Sequence, residues 1–208
     1  MNFEKLTKSI IDGNAENVTE LTQEAIDQGI NPTEIINEGL IKGMNVVGKR
    51  FKNGDIFVPE VLMSARAMKK GMELVQPLLV EGEMKEAGRV VLGTVAGDLH
   101  DIGKNLVGMM MVSSGLEVTD LGTDVEADEF VECIRKVKPH IVAMSALLTT
   151  TMLEMKNVIE VLVEEGLRED VKIIVGGAPV TKDFAEEIGA DGWAPDAASA
   201  KDLAFELI

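Results

Sequence analysis

Residues 98–105 read Asp-Leu-His-Asp-Ile-Gly-Lys-Asn, an imidazole between two carboxylates just ahead of a Gly-Lys pair. Such a set can serve a phosphate or a metal. A phosphate loop places four residues between its first glycine and the Gly-Lys pair, then a Ser or Thr for Mg²⁺. Here five residues separate Gly97 from Gly103, and Asn105 follows Lys104. A phosphate loop is excluded on both counts. A closed zinc or iron site lacks ligands, because His140 is the only other histidine and Cys133 the only cysteine. One histidine suffices when the metal arrives inside a macrocycle that fills its other positions. The protein then supplies a single axial nitrogen, and a carboxylate such as Asp98 orients the ring and raises its basicity.

Two kinds of element must position these residues. Up to about residue 85 the apolar residues recur at helical spacing: Leu6 and Ile10; Val18, Leu21 and Ala25; Ile35, Leu40 and Met44; Val61, Ala65, Met68 and Met72. Asn14 is placed to cap a helix that Gly29 stops, and Pro32 and Pro59 stand at first helical positions. The expectation is a four-helix bundle over 1–85, with a polar linker at 81–88.

From Arg89 short apolar runs alternate with amphipathic stretches: RVVLGTVA, LEVTDLG, HIVAMSALL, VKIIVGG and DGWAP. Five such units predict a second domain over 86–208, an α/β fold with a five-stranded parallel sheet of Rossmann or flavodoxin type. With strand order 2-1-3-4-5, ligands bind beyond the carboxyl ends of the first and third strands. Residues 98–103, Ser145 to Thr151, and Gly176-Gly177 all fall at that edge. A phosphoacceptor domain would need an aspartate where Ser145 stands. A flavin site would need more aromatic wall than Phe130, Phe184, Trp193 and Phe205 give.

Composition narrows the partners. A net charge of −16 and a pI near 4.5 argue against nucleic acid and anionic membrane. One cysteine allows no internal disulfide, the N-terminus carries no apolar core of signal-peptide length, and nowhere does the chain run eighteen residues without charge. A reducing cytoplasm is the expected compartment.

Asp98-x-His100-x-x-Gly103, Ser145-x-Leu147 and Gly176-Gly177, in that order, resemble the cobalamin-binding domain of methyl-transferring corrinoid proteins. The family includes the small corrinoid proteins of methanogens and acetogens and a module of methionine synthase. The helical half resembles the cap that precedes this domain there. The resemblance implies cobalamin as cofactor, cycling between cob(I)alamin and methylcobalamin, with His100 as axial ligand of cobalt in place of the cofactor's own base. Asp101 and Gly103 would adjoin the corrin, Ser145 and Thr149 would line the pocket of the displaced base, and Leu147, Gly176 and Gly177 would admit the nucleotide tail. Thr151, where the family has serine, would complete a proton relay with Asp98. Residues 48–69 resemble the segment over the upper corrin face, with Phe51 in the aromatic and Val58 in the aliphatic position.

A protein of this kind is a methyl carrier, not a complete enzyme. It would accept a methyl group on Co(I) from a substrate:corrinoid methyltransferase acting on a methylated amine, a betaine or methanol. It would then present methyl-Co(III) to a second methyltransferase with a thiol or folate-type acceptor, and a reductive activase would restore it. The 81–88 linker would be the hinge of cap movement. The alternative is a cobalamin-dependent sensor or regulator, for which no DNA-binding segment is expected in this chain.

Overall fold

The computed structural model describes residues 3–79 and 88–208. The chain divides into two compact units, Met1–Glu86 with Ser113–Gly115, and Ala87–Val112 with Leu116–Ile208. Residues 81–87 of the expected linker lie outside the described residues. Its last residue, Gly88, already serves the sheet, accepting the Glu117 N–H at 2.9 Å.

The helical unit consists of α1 (Phe3–Ile11), α2 (Ala15–Asp27), the short α3 (Pro32–Glu34), a π-helix (Ile35–Ile41), α4 (Lys42–Lys52) and α5 (Val58–Val75). Its starts are those the sequence marks. Asn14 Oδ1 accepts the Asn17 N–H at 3.0 Å, Asn31 Oδ1 accepts the Thr33 N–H at 2.8 Å, and Glu60 accepts the Phe57 N–H at 3.1 Å. Helix α2 packs on α5, and α1 on the π-helix and α4.

The π-helix departs from the expected regular helix. Burial there follows pairs four residues apart: Ile35 and Ile36, Gly39 and Leu40, Gly43 and Met44, Val47 and Gly48. An α-helix advances about 100° per residue, so a strict repeat of four drifts by about 40° each turn. The wider i→i+5 turn offsets that drift and keeps the face against α1. Bare backbone permits the approach: a Cβ on Gly39 would lie 2.5 Å from Leu6 Cδ2, and one on Gly43 2.6 Å from Ile10 Cβ. The Thr7 hydroxyl lies 3.2 Å from the carbonyls of both Glu38 and Gly39, and can donate to either.

The second unit is a five-stranded parallel sheet in the order β2-β1-β3-β4-β5. Its strands are β1 (Arg89–Thr94), β2 (Glu117–Asp120), β3 (Ile141–Ser145), β4 (Lys172–Gly176) and β5 (Gly192–Ala194), and its helices are α6 (Ile102–Val112), α7 (Ala127–Val137), α8 (Leu153–Glu164), α9 (Lys182–Glu187) and α10 (Ala197–Leu207). Successive side chains of a strand face opposite sides. Val91, Val142, Met144, Ile173 and Val175 therefore join one core with Phe130 of α7 and Met155 of α8. Val90, Leu92, Ile141, Ala143 and Ile174 join the other with Met111 of α6 and Ala204 of α10. Burial on both faces explains the unbroken apolar runs in the sequence. Among the described residues no helix is long and apolar enough to cross a membrane.

Candidate functional site

Strand β1 ends at Thr94 and α6 begins at Ile102, so residues 95–101 form a loop at the carboxyl edge of the sheet. Asp98 lies fully buried inside it. Its Oδ1 accepts the His100 N–H at 3.1 Å and faces His100 Nδ1 at 2.7 Å. Its Oδ2 accepts the Leu147 N–H at 2.7 Å, the Thr151 hydroxyl at 2.7 Å and, more weakly, the Leu148 N–H at 3.4 Å. Burial alone would raise the Asp98 pKa. The hydrogen bonds from Thr151, Leu147 and His100 outweigh it and hold the carboxyl well below the usual range.

An ionised carboxylate only accepts, so the proton of a neutral His100 sits on Nδ1, and Nε2 carries the lone pair. Asp98 thus fixes both the tautomer and the rotation of the ring. The His100 side chain is 51% exposed although its partner is wholly buried. Nε2 is therefore the nitrogen left to bind something brought from outside.

That ring lines a cleft of about 580 Å³ together with Leu99, Asp101, Ile102 and Gly103 of its own loop and Ser145, Leu147, Gly176 and Gly177 from the ends of β3 and β4. The expected edge features thus meet in one place. Small residues also line it: Ala178 after β4, and Ala197 and Ala200 at the start of α10. A Cβ on Gly103 would meet no protein atom, which leaves its space to a ligand. At Gly176 and Gly177 the protein itself demands glycine. A Cβ there would stand 2.9 Å from the Ala194 carbonyl oxygen and 1.8 Å from that of Ala146, and Gly177 has φ +129.

Other expected residues are placed differently. Thr149 is exposed on the turn before α8, outside the residues that line the cleft. Thr151 is buried behind the cleft, against Asp98. Phe51 and Val58 belong to the helical unit, where Phe51 stands in the last turn of α4 and Val58 opens α5, both half-buried. His140 is structural, its Nδ1 accepting the Arg89 N–H at 3.0 Å.

The structure shows where Lys104 goes and adds two residues, Leu99 and Ile102, that spacing did not single out. Lys104 is buried at the cleft with its ammonium paired to Asp120 and 2.8 Å from Asn105 Oδ1. The lysine of the apparent phosphate loop is thus taken up within the protein. Leu99 and Ile102, on either side of His100, are 72% and 75% exposed, an apolar surface around a polar nitrogen. A half-open imidazole with a free Nε2, apolar flanks and a cleft lined by glycine and alanine fits a flat macrocycle that carries its own metal and trails a nucleotide tail.

Fold and site together define a cobalamin-binding α/β protein with a helical companion unit. Residues 88–201 match the family described as B12 binding domain, and residues 3–76 match a second family of the same description. The chain belongs to the B12-binding corrinoid proteins, and its cofactor is a corrinoid of the cobalamin type. It is 45% identical over 209 residues to a corrinoid protein of Desulfitobacterium hafniense, covering 99% of this chain and 97% of the relative. Against dimethylamine corrinoid protein 1 of Methanosarcina acetivorans the identity is 47% over 180 residues, covering 86% and 84%. Among solved structures, a chain of the methanol:cobalamin methyltransferase complex of Methanosarcina barkeri superposes with a TM-score of 0.87 at 36% identity, covering 99% of this chain and 78% of that one.

Proposed function

We propose that this chain is a corrinoid methyl carrier whose donor is a methylated amine. A substrate-specific methyltransferase loads it, and a second methyltransferase with a thiol or folate-type acceptor unloads it. A reductive activase restores it after accidental oxidation, and all of this takes place in the cytoplasm. The observation that carries the reading is the His100 ring, held at Nδ1 by buried Asp98, half exposed and lining the cleft. Identities of 43–47% to mono-, di- and trimethylamine corrinoid proteins support the amine, and among solved structures the identity is 41% to a monomethylamine corrinoid protein against 36% to the chain from the methanol complex. The same relatives favour a carrier over a regulator.

Bound cobalamin supplies a cobalt centre able to take a methyl group from one protein and release it to another. His100 Nε2 would bind that cobalt from the cleft side. Asp101 and Gly103 would border the corrin, Ser145, Leu147 and the Gly176-Gly177 pair would enclose the nucleotide tail, and Phe51 and Val58 would cover the opposite face. With Nε2 not engaged by metal, the imidazole would be the group able to hold a proton beside Asp98. Asp98 is held ionised and stabilises the charged ring that results. Thr151 keeps its hydroxyl on Asp98 Oδ2 meanwhile, so the proton rests on the imidazole and the carboxylate stays charged.

The test is the electron paramagnetic resonance spectrum of the Co(II) protein, reconstituted anaerobically with cobalamin after growth on ¹⁵N-histidine. A doublet superhyperfine splitting is expected from a single labelled nitrogen. A triplet from the cofactor's unlabelled base, or a protein that retains no corrinoid, would refute the assignment of His100.

A further inference from the structure

The placement of Nε2 depends on two things, the rotation of the ring and the position of the His100 main chain. Asp98 governs the first. The second is held by Asp98 Oδ1, which accepts the His100 N–H, and by two residues outside the Asp98, His100 and Thr151 array. Thr94, the last residue of β1, is fully buried, and its hydroxyl donates to the His100 carbonyl at 3.0 Å. Asp124, in the loop after β2, adopts φ +58, a left-handed conformation uncommon outside glycine. In that pose its Oδ1 accepts the Gly97 N–H at 2.6 Å, and its own N–H donates to the Asp98 carbonyl at 3.0 Å. The neighbouring bridge between Val95 and Val125 fixes the two loops side by side.

Beyond the Asp98 carboxylate, the main chain is thus tied at 97, 98 and 100, once by a strand residue and twice by a single strained aspartate. A non-glycine residue held in the left-handed region costs free energy and persists where its surroundings impose it. Here they impose it beside the loop that carries the ring. A ligand nitrogen displaced by as little as an ångström loses much of its function, so a loop-borne ligand needs such supports.

We propose that Thr94 and Asp124 are positioning residues that hold the His100 main chain in place for axial ligation, an inference that rests on His100 being the cobalt ligand. Thr94→Val keeps the shape and removes only the hydroxyl, whereas Thr94→Ser keeps the donor. Asp124→Gly removes the carboxylate while relieving the left-handed strain, and Asp124→Asn keeps an acceptor.

Two measurements on the whole protein separate the possibilities. In the cofactor-free protein labelled with ¹⁵N-histidine, nuclear magnetic resonance reports the Nδ1–H of His100 without any reference to cobalt. In the reconstituted Co(II) protein, the nitrogen superhyperfine splitting reports the ratio of ligated to unligated histidine. Thr94→Val and Asp124→Gly are expected to shift or broaden the His100 signals while leaving those of His140, and to lower the ligated ratio roughly tenfold. Thr94→Ser and Asp124→Asn are expected to stay within about twofold of the parent. His100 signals and a ligated ratio unchanged in both disruptive variants would overturn the proposal. Should buried Thr94→Val fail to fold, Asp124→Gly, at an exposed position, carries the test alone. A parent protein without histidine splitting would sink the ligand assignment and this proposal's link to ligation with it, while the resonance spectra would still show separately whether the two residues hold the loop.

Discussion

Replacing Asp98 by Asn removes one charge and turns one acceptor oxygen into a donor amide, and the surroundings leave no harmless orientation for it. If the Asn carbonyl takes the place of Oδ2, it keeps the Leu147 N–H and the Thr151 hydroxyl, and its NH₂ faces His100 N and Nδ1. The ring must then accept at Nδ1, which moves its proton to Nε2 and blocks the nitrogen meant for the metal. If the amide is flipped, His100 is kept but the Leu147 N–H loses its 2.7 Å acceptor. A buried donor left without a partner costs about 1–3 kcal/mol. Histidine ligation is expected to fall 10–100-fold, about 1.4–2.7 kcal/mol. The Co(II) resonance spectrum measures the ligation, and urea unfolding of the cofactor-free protein at neutral and acid pH measures the stability. Because the folded pKa of Asp98 is depressed, its contribution is complete above the unfolded value of roughly 3.9 and is lost as pH falls below it. The parent should therefore lose stability on acidification more steeply than Asp98→Asn, the gap narrowing below about pH 4. An unchanged ligated fraction together with parallel acid profiles would refute the reasoning.

Other substitutions test neighbouring features. Thr151→Val removes one donor to the ionised carboxylate and should cost about 1.5–3 kcal/mol in urea unfolding, with Thr151→Ser largely restoring it. Gly177→Ala drives a Cβ to 1.8 Å from the Ala146 oxygen at φ +129. A loss of about 2–5 kcal/mol and failure to retain cobalamin are expected, and a loss under about 0.5 kcal/mol would contradict the geometry. The Lys104 and Asp120 pair should respond asymmetrically. Lys104→Met replaces a buried charge by an apolar group and should stay within about 1 kcal/mol of the parent, whereas Asp120→Asn leaves a buried ammonium poorly compensated and should cost about 3 kcal/mol. Equal losses would show that burial of the ammonium does not govern the pair.

The strands were legible because their burial is two-sided, and the cleft because strand order dictates where loops converge. The apolar runs nevertheless overshoot the ladder for particular reasons. Val95 is buried but makes a single bridge to Val125, so β1 ends before it. Leu147 and Leu148 are apolar yet 43% exposed, because their amides turn inward to Asp98. Thr94 and Asp124 were invisible for another reason. Both act on main-chain atoms, Asp124 across a distant stretch of sequence, and such bonds leave no pattern of residue types. The π-helix did leave a trace: Ile35 and Leu40, taken as one helical stripe, stand five apart, a step no α-helical face favours.

That π-helix works as a phase adjuster. Every residue added to or taken from a helix turns all that follows by about 100°, so the wide turn over Ile35–Ile41 sets the azimuth of α4 as well as its own packing. With a residue deleted there, Met44 and Val47 would rotate away from their buried face, and Phe51, in the last turn of α4, would point elsewhere. The aim of the aromatic ring at the end of α4 is thus dialled in more than two turns earlier, by a change of helical gauge.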